Sequence, residues 1–498
     1  MIKTPYQDLE DRFRRMDAVN GATSMLHWDM SAMMPPGGVE TRTEQLATLE
    51  TIAHAMITDT ALSDLLDGAE ADPHLDTWQQ ANIGEMRRRW VHSTALDADL
   101  VEASSRAVAK CETVWRDARA TADFKAVLPY LEEVLNLTRQ TAQAKAEKLG
   151  LSPYDALLDQ YEPDGRADDI NEVFADLGAF LPDFLDDVLA KQASAPKILS
   201  PEGPFPTQKQ KALGQTFMTT LGFNFDHGRL DESHHPFCGG TYDDVRLTTR
   251  YDEADFTSAL MGVLHETGHA LYDQGLPKQW RGQPVGMDRG MSIHESQSLL
   301  IEMQACRSRE FLEYAAPLMR DAFDGSGPAW GVGNLTRFYT KVEKGFIRVD
   351  ADEVTYPAHV ILRFNLERAA IAGDLKMADL PTAWNDGLQN ILGIIPPSDR
   401  EGCLQDIHWY DGAWGYFPTY TLGAMTAAQF FAQAKADNPE ILPCIAKGDF
   451  TPLMSWLRKH VHAKGCSLST KDLITEATGE PLNAAHFKAH LKTRYLED

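Results

Sequence analysis

Helical periodicity runs through almost the whole chain and limits the folds that it can adopt. Apolar residues recur every three or four positions, which is the spacing of amphipathic helices. The predicted helices are residues 6–27, 40–57, 77–92, 95–120, 126–149, 168–192, 206–221, 255–274, 292–316, 332–346, 353–372, 379–392, 424–436, 450–461 and 468–475. Short breaks rich in Pro, Gly and Asp separate them, without a long linker or an internal repeat. We therefore predict an all-α, mainly helical fold in which residues 1–498 form a single large helical body.

Two segments depart from the helical pattern. Residues 241–249 alternate polar and apolar side chains, which predicts a short β-hairpin or edge strand just before the helix at 255–274. An edge strand there would be able to pair with an extended peptide. Residues 412–420 are aromatic and rich in Gly, which favours a loop lining a pocket. Ordinary surface hairpins are the alternative for both segments.

The strongest chemical signal is the run His265-Glu266-Thr267-Gly268-His269 inside the predicted helix 255–274. Residues four apart on a helix lie one turn above each other, so both imidazoles face the same way and can bind one metal ion. Glu266 lies between them, where it can take a proton from a water molecule at the metal. Such a box also arises by chance in long helices, so the surrounding sequence has to decide whether it is a metal site.

The context supplies a third ligand. Catalytic zinc usually has three protein ligands and one open position. Metalloproteases with a third histidine place it six residues after the second one, where this chain has Gly275. Glu295 instead follows His269 by 26 residues and opens a second predicted helix, so a site made by two packed helices is indicated. The alternative for Glu295 is a solvated acid that the helix dipole favours in the first turn.

Composition and charge narrow the classes of partner. The chain has 47 Lys and Arg against 73 Asp and Glu, a net charge of −26, and no basic stripe. This argues against nucleic acid and anionic membranes as partners. No run of 18 apolar residues exists and the first residues lack a signal-peptide core, so neither membrane insertion nor secretion is expected. Six scattered cysteines favour reduced thiols in a cytoplasm.

Six local motifs follow one another along the chain. They are His235-Pro236-Phe237, Asp244-x-Arg246-x-Thr248, the His265–His269 box, His294-Glu295-Ser296-Gln297, Ile347-Arg348-Val349-Asp350-Ala351-Asp352, and Gly402-Cys403-Leu404-Gln405-Asp406-Ile407-His408-Trp409. Taken together and in this order, they resemble the carboxypeptidase Taq family of zinc metallocarboxypeptidases. A Trp28-Asp29 pair with further N-terminal motifs extends the likeness over nearly the whole chain.

This resemblance implies an almost wholly helical zinc peptidase. His265, His269 and Glu295 would bind the metal, in agreement with their spacing, and Glu266 would act as the general base. Two nitrogens and a carboxylate suit Zn²⁺, although Co²⁺ or Mn²⁺ can occupy such a set. Glu302, on the same predicted helix as Glu295, is a candidate to support the ligands. The family also implies a homodimer.

Removal of a C-terminal residue requires a group that binds a free carboxylate. The planar fork of arginine does this best, through two charge-assisted hydrogen bonds. Arg348 and Arg246 both lie in family motifs, and Arg348 is the first candidate because Arg246 is equally able to pair with Asp244. A structural ion pair is the alternative for each arginine.

Further substrate contacts are predicted from the same motifs. A tetrahedral intermediate needs a hydrogen-bond donor besides the metal, for which His408 and Tyr420 are candidates. We expect Gln405 to contact the substrate backbone and His235 to shape the floor of the cleft. Burial in the core is the alternative for His408 and Tyr420.

The sequence thus favours a cytoplasmic zinc carboxypeptidase of broad specificity that acts on peptides with a free C-terminus. An oligopeptidase or dipeptidyl carboxypeptidase on a similar scaffold is the nearest alternative, and a helical binding protein with a vestigial metal site is the third. We expect a deep active-site groove. Residues of about 1–230 would form one wall, 231–430 would carry the metal and substrate motifs, and 431–498 would form a helical C-terminal part.

Overall fold

The computed structural model describes residues 3–233 and 235–497, and helices make up most of them. In chain order the helices are α1 Pro5–Ala32, α2 Val39–Ile57, α3 Ala61–Glu70, α4 Thr77–Thr94, α5 Ala98–Thr121, α6 Phe124–Leu149, α7 Pro153–Leu158, α8 Ala167–Ser194, α9 Thr207–Leu221, α10 Phe256–Gly275, α11 Gly290–Leu299, α12 Arg309–Ala322, α13 Val332–Tyr339, α14 Tyr356–Ala372, α15 Leu380–Leu392, α16 Pro418–Asp437, α17 Ile441–Ile445, α18 Thr451–His460, α19 Thr470–Thr478 and α20 Ala484–Lys492. The prediction of a mainly helical fold is confirmed.

Local capping explains where several helices begin and end. Thr4 caps α1, and the side chains of Thr4 and Gln7 each accept a hydrogen bond from the other residue's backbone. Asp76 and Gln79 make the same reciprocal pair at the start of α4. These contacts satisfy amide groups that a helix leaves without partners in its first turn. At the other end of a helix, Gly150 closes α6 with φ +68°, a conformation that costs glycine little.

A small three-stranded sheet precedes α10. Its strands are β1 Gly228–Glu232, β2 Phe237–Thr241 and β3 Asp244–Thr249, in the order β1-β3-β2. The predicted β-hairpin is confirmed, because β2 and β3 pair antiparallel across a short turn, but the alternative that the strand within 241–249 lies at an edge was wrong. β3 is central because it pairs parallel with β1 and antiparallel with β2. Both sides of its backbone are occupied, so β3 has no open edge for a peptide.

Some predicted helix boundaries were wrong where turns interrupt an apolar pattern. The predicted helix 292–316 is broken, because a π-helical turn at Leu300–Ala305 follows α11 and α12 starts after Ser308. The predicted helix 332–346 ends at Tyr339. Periodicity also missed the shorter helices α3, α7, α17 and α20, which offer few repeats to a pattern search.

Three groups of buried side chains hold the helices together. One group joins α5, α6 and α8 to α14 and α15 and includes Trp384 and Phe174. A second surrounds α10 and includes Leu264, Ile293 and Phe430, from α10, α11 and α16. The third, smaller group joins α1, α3 and α4. α10 is thus fixed on several sides by apolar packing. Among the described residues, no helix combines the length and apolar character needed to cross a membrane.

Candidate metal centre

Helices α10 and α11 bring His265, His269 and Glu295 to one point. One ligand atom from each residue lies within 4.8 Å of the others. Oε2 of Glu295 is 3.8 Å from Nε2 of His265 and 3.4 Å from Nε2 of His269. The three side chains are 23%, 13% and 16% exposed, in the order His265, His269 and Glu295, so the cluster opens to solvent. Two imidazoles and one carboxylate with an open side fit a catalytic divalent metal.

Hydrogen bonding determines which nitrogen of His265 faces Glu295. Nδ1 of His265 lies 3.0 Å from Oε2 of Glu302, which leaves Nε2 on the side of Glu295. The other carboxylate oxygen of Glu302 accepts a 2.6 Å hydrogen bond from Nη2 of Arg307. Although burial favours the neutral acid, Arg307 and His265 lower the pKa of Glu302. Glu302 is therefore an ionised group that orients His265, as ligand-supporting carboxylates do.

His269 is supported differently. Its ring stacks on that of His294 at a centroid distance of 4.5 Å, and Nε2 of His294 lies 3.3 Å from Oδ1 of Asp273. Burial is the main reason that the pKa of His269 falls to about 4, and the charge of His294 lowers it further. His269 is thus neutral, which is the form that binds a metal.

Glu266 lies on α10 between the two histidines and is 7% exposed. Burial raises its pKa to about 7, against the attraction of His265 and with the repulsion of Glu295. A carboxyl group with a pKa close to neutrality suits a group that takes and returns a proton.

Two glycines allow the helices around this centre to approach one another. A Cβ atom on Gly268 would lie 2.5 Å from the carbonyl oxygen of Gln297 and 2.6 Å from Cα of Ser298. A Cβ atom on Gly423 of α16 would lie 2.8 Å from both Cβ and Cγ of Glu295. The sequence pattern does not indicate either residue, because Gly268 is a variable position of the box and Gly423 lies far along the chain. Neither position carries a recognisable sequence signal.

A second polar cluster surrounds Arg348. Nε and Nη2 of Arg348 donate to Oδ1 of Asp406 at 3.1 and 2.9 Å, and Nη1 donates to the hydroxyl of Tyr356 at 2.7 Å. Arg363 donates to the other oxygen of Asp406. The guanidinium of Arg348 also lies over Tyr420, 4.9 Å from the ring centroid. The structural ion pair that the sequence left open for Arg348 is therefore present.

This ion pair does not use the whole Arg348 fork. A guanidinium has five hydrogens, and three are engaged, which leaves one on each of the terminal nitrogens Nη1 and Nη2. Arg348 and Arg363 are 5% and 0% exposed and share a single carboxylate, Asp406. Buried positive charge is thus left in excess, a condition that favours an incoming anion.

The Arg348 cluster lies within electrostatic reach of Glu295, one of the candidate metal ligands. Burial is the first cause of the raised pKa values of Tyr356, Tyr416 and Tyr420, and the charge of Glu295 also raises each of them. Tyr420 belongs to α16 rather than to a loop, since the predicted loop 412–420 ends where α16 begins at Pro418.

Arg246 is engaged elsewhere. Its Nε and Nη2 donate to the two oxygens of Asp244 at 2.9 and 2.6 Å, two residues away on β3. The guanidinium also lies 4.5 Å from the centroid of the Trp28 ring. This is the ion-pair alternative weighed from the sequence, and it ties β3 to α1.

The other predicted substrate residues, His408, Gln405 and His235, have different surroundings. Nε2 of His408 lies 3.4 Å from the hydroxyl of Tyr420, and burial lowers the pKa of His408 to about 4, so its ring is neutral. Gln405 accepts from the amide of Arg348 and donates to the carbonyls of Phe346, Glu401 and Gly402. These contacts favour a positioning role for Gln405 over direct contact with substrate. His235 is exposed, in the turn before β2.

Comparisons with known proteins agree over nearly the full length. The family described as Carboxypeptidase Taq (M32) metallopeptidase matches residues 8–495. Thermostable carboxypeptidase 1 of Thermus thermophilus is 36% identical over 504 residues, which cover 98% of this chain and 98% of that protein. Metallocarboxypeptidase 1 of Trypanosoma cruzi has a TM-score of 0.97 at 40% identity, covering 99% of both chains. An M32 carboxypeptidase of Deinococcus radiodurans has a TM-score of 0.92 at 36% identity, with the same coverage.

Proposed function

The chain belongs to the carboxypeptidase Taq (M32) metallopeptidase family and is a metal-dependent carboxypeptidase, and from this premise we propose that it is a zinc enzyme in which Glu266 is the general base. The predicted family resemblance and enzyme class are confirmed. The observation that carries the proposal is the meeting of His265, His269 and Glu295 beside the buried Glu266. We further propose broad specificity and release of one C-terminal residue at a time.

The residues of the centre fit a divalent metal. His265 and His269 would bind it through Nε2 and Glu295 through a carboxylate oxygen, and this donor set favours Zn²⁺, with Co²⁺ or Mn²⁺ as possible substitutes. The ion, when bound, supplies Lewis-acid chemistry that activates water and polarises the scissile carbonyl.

The side chains around the centre complete the reaction. Glu266 takes a proton from the attacking water and gives it to the nitrogen of the departing residue, which its near-neutral pKa permits. The two unengaged hydrogens of Arg348 bind the terminal carboxylate of the substrate. Tyr420, next to Arg348 and His408, donates to the oxygen that becomes negative in the transition state.

Product analysis tests this proposal against the dipeptidyl alternative. With an N-terminally blocked peptide, we expect mass spectrometry to show a ladder of single-residue losses from the C-terminus. A peptide of the same sequence with an amidated C-terminus should remain intact, because the carboxylate that Arg348 binds is missing. Chelation should stop the reaction and added Zn²⁺ restore it. Release of dipeptides, or hydrolysis that resists chelators, would contradict the proposal.

Replacing Arg348 with glutamine should separate carboxylate binding from catalysis. We expect kcat/KM on peptides with a free C-terminus to fall about 100-fold, since a charge-assisted pair of hydrogen bonds is lost. Metal content should not change. The preference for free over amidated peptides should collapse, a result that a merely structural role would not produce.

The matched control for this variant is Arg368→Gln, at an arginine that is one-third exposed and pairs with Asp168. It should keep both the rate and the preference. An Arg348→Gln enzyme that is slow yet still spares amidated peptides would show that Arg348 only supports Asp406.

The remaining expectations stand as proposals. Residues 1–498 would act as one metallocarboxypeptidase domain with a groove over the metal centre, and the enzyme would be a homodimer, which light scattering in solution can test. The six cysteines are unpaired, which supports the proposed cytoplasmic location.

A further inference from the structure

A separate cavity of about 1230 Å³ lies away from the peptidase centre. It is bounded by the end of α8 and the following residues 195–200, by α13 and α16, and by the C-terminal helix α20. None of the proposed metal ligands or substrate residues lines it. Its volume exceeds what a single inorganic ion would fill and suits a molecule of cofactor size.

The lining of this cavity is strongly basic. Eight Lys or Arg side chains line it against one carboxylate, Glu310, in a chain whose net charge is −26. Four of the eight form ion pairs; these are Arg307 with Glu302, Arg309 with Glu313, Lys341 with Glu343, and Arg494 with Glu353. The other four have no salt-bridge partner among residues 3–233 and 235–497; they are Lys191, Lys197, Arg337 and Lys435.

Two arginines of the cavity also have a buried nitrogen without a hydrogen-bond acceptor among the described residues. These nitrogens are the Nε atoms of Arg307 and Arg337. Burial lowers the pKa of Lys435, and the charge of Arg494 lowers it further. Lys435 and Arg494 therefore repel each other, and an anion between them would relieve that repulsion.

We propose that this cavity binds a small molecule carrying a chain of phosphate groups. Four cations without a salt-bridge partner, spread over α8, the segment after it, α13 and α16, favour a ligand with several separated negative charges. Phosphate groups match the donors of both Arg and Lys. The partly exposed ring of Phe338 also lines the cavity and offers an apolar surface to the rest of such a ligand, whereas the ring of Phe431 is covered by Lys435.

The site also touches the support of the metal centre. Arg307 lines the cavity and shares the carboxylate of Glu302 with His265. A ligand in the cavity would therefore lie two side chains away from a proposed metal ligand. Because phosphate chains also bind metal ions directly, metal content has to be followed in any binding experiment.

Calorimetric titration of the metal-loaded enzyme at low salt tests the proposal, with sodium triphosphate and ATP as the probes. We expect saturable binding of one molecule per chain, without loss of metal. In the triple variant Lys191→Gln, Arg337→Gln, Lys435→Gln the dissociation constant should rise at least about tenfold, since three charge-assisted contacts are lost. Tighter binding of ATP than of triphosphate would identify a nucleotide site, and equal binding a site for the phosphate chain alone.

A matched control removes the same charge elsewhere. Arg400, Lys447 and Lys471 are exposed and lie outside the cavity, so Arg400→Gln, Lys447→Gln, Lys471→Gln should bind like the parent. Both triple variants should keep the peptidase activity of the parent, which reports correct folding. If the cavity triple variant does not fold, the single variant Lys191→Gln should weaken binding about threefold. The proposal would be overturned by an absence of saturable binding or by equal binding to both triple variants. It would also be overturned if only His269→Ala abolished binding, because the phosphate chain would then bind the metal and not the cavity.

Discussion

Replacement of Glu266 with glutamine is expected to lower kcat about 1000-fold while leaving the metal in place. The amide has nearly the same shape but cannot take a proton from water, and general bases contribute rate factors of this order. Glu266 is not one of the candidate metal ligands, which are His265, His269 and Glu295, so metal binding should be preserved. Steady-state kinetics on a blocked peptide, together with metal analysis of the same sample, measures both quantities.

The control for this result is Glu313→Gln, an equivalent change at a carboxylate that is nearly half exposed on α12. It should have the parent kcat and metal content. If Glu266→Gln retained kcat within a few-fold of the parent, another group would have to accept the proton. If it lost the metal, its defect would report on binding and not on catalysis.

Replacement of Gly268 with alanine is expected to damage the metal centre without touching a ligand. The new Cβ would lie 2.5 Å from the backbone of Gln297, and backbone cannot rotate away as a side chain can. α10 would have to shift from α11, which separates the two histidines from Glu295. Such overpacking costs about 1–3 kcal/mol of folding free energy. Metal affinity should fall at least about tenfold, as it does when the support of a ligand is disturbed.

Gly262 provides a control in the same helix. A Cβ there would meet no atom within 4 Å, and the residue is partly exposed. Gly262→Ala should therefore raise helix stability by about 0.5–1 kcal/mol, because glycine is a poor helix former, and leave metal affinity unchanged. Competitive titration with a chelator and thermal unfolding compare the two variants directly. Equal metal affinity in both would show that α10 and α11 tolerate a wider separation.

The meeting of His265, His269 and Glu295 was predictable from the sequence because the two segments that carry them lie close together along the chain. Helical spacing places His265 and His269 on one face, and a single loop leads to Glu295. The support of these residues was less visible. Glu302 was only a candidate, because it lies within the π-helical turn Leu300–Ala305, which periodicity does not reveal. The contacts of Glu302 with His265 and Arg307 depend on that turn. Gly423 contacts Glu295 from a helix that lies more than a hundred residues further along the chain.

The sheet and the basic cavity show the same limit. Alternation identified β3, but its central position depends on β1, which joins it through parallel pairing that no tight turn announces. The sequence has no basic stripe, yet folding gathers eight cations from separate helices around one cavity. A sequence reveals a basic surface when Lys and Arg are clustered along the chain. The cations of this cavity come from distant segments, so they form no such cluster in the sequence.

One contact of α16 has a consequence for the products of the enzyme. Gly423 packs against Glu295, while Tyr420, three positions earlier on the same helix, packs against Arg348. Three residues of one helix, a rise of about 4.5 Å at 1.5 Å per residue, therefore separate the contact with the proposed metal ligand from the contact with the proposed carboxylate-binding group. Because both contacts belong to the same helix, we expect the spacing between the proposed metal ligand and the proposed carboxylate-binding group, and with it the size of the released fragment, to persist when the surrounding loops are exchanged.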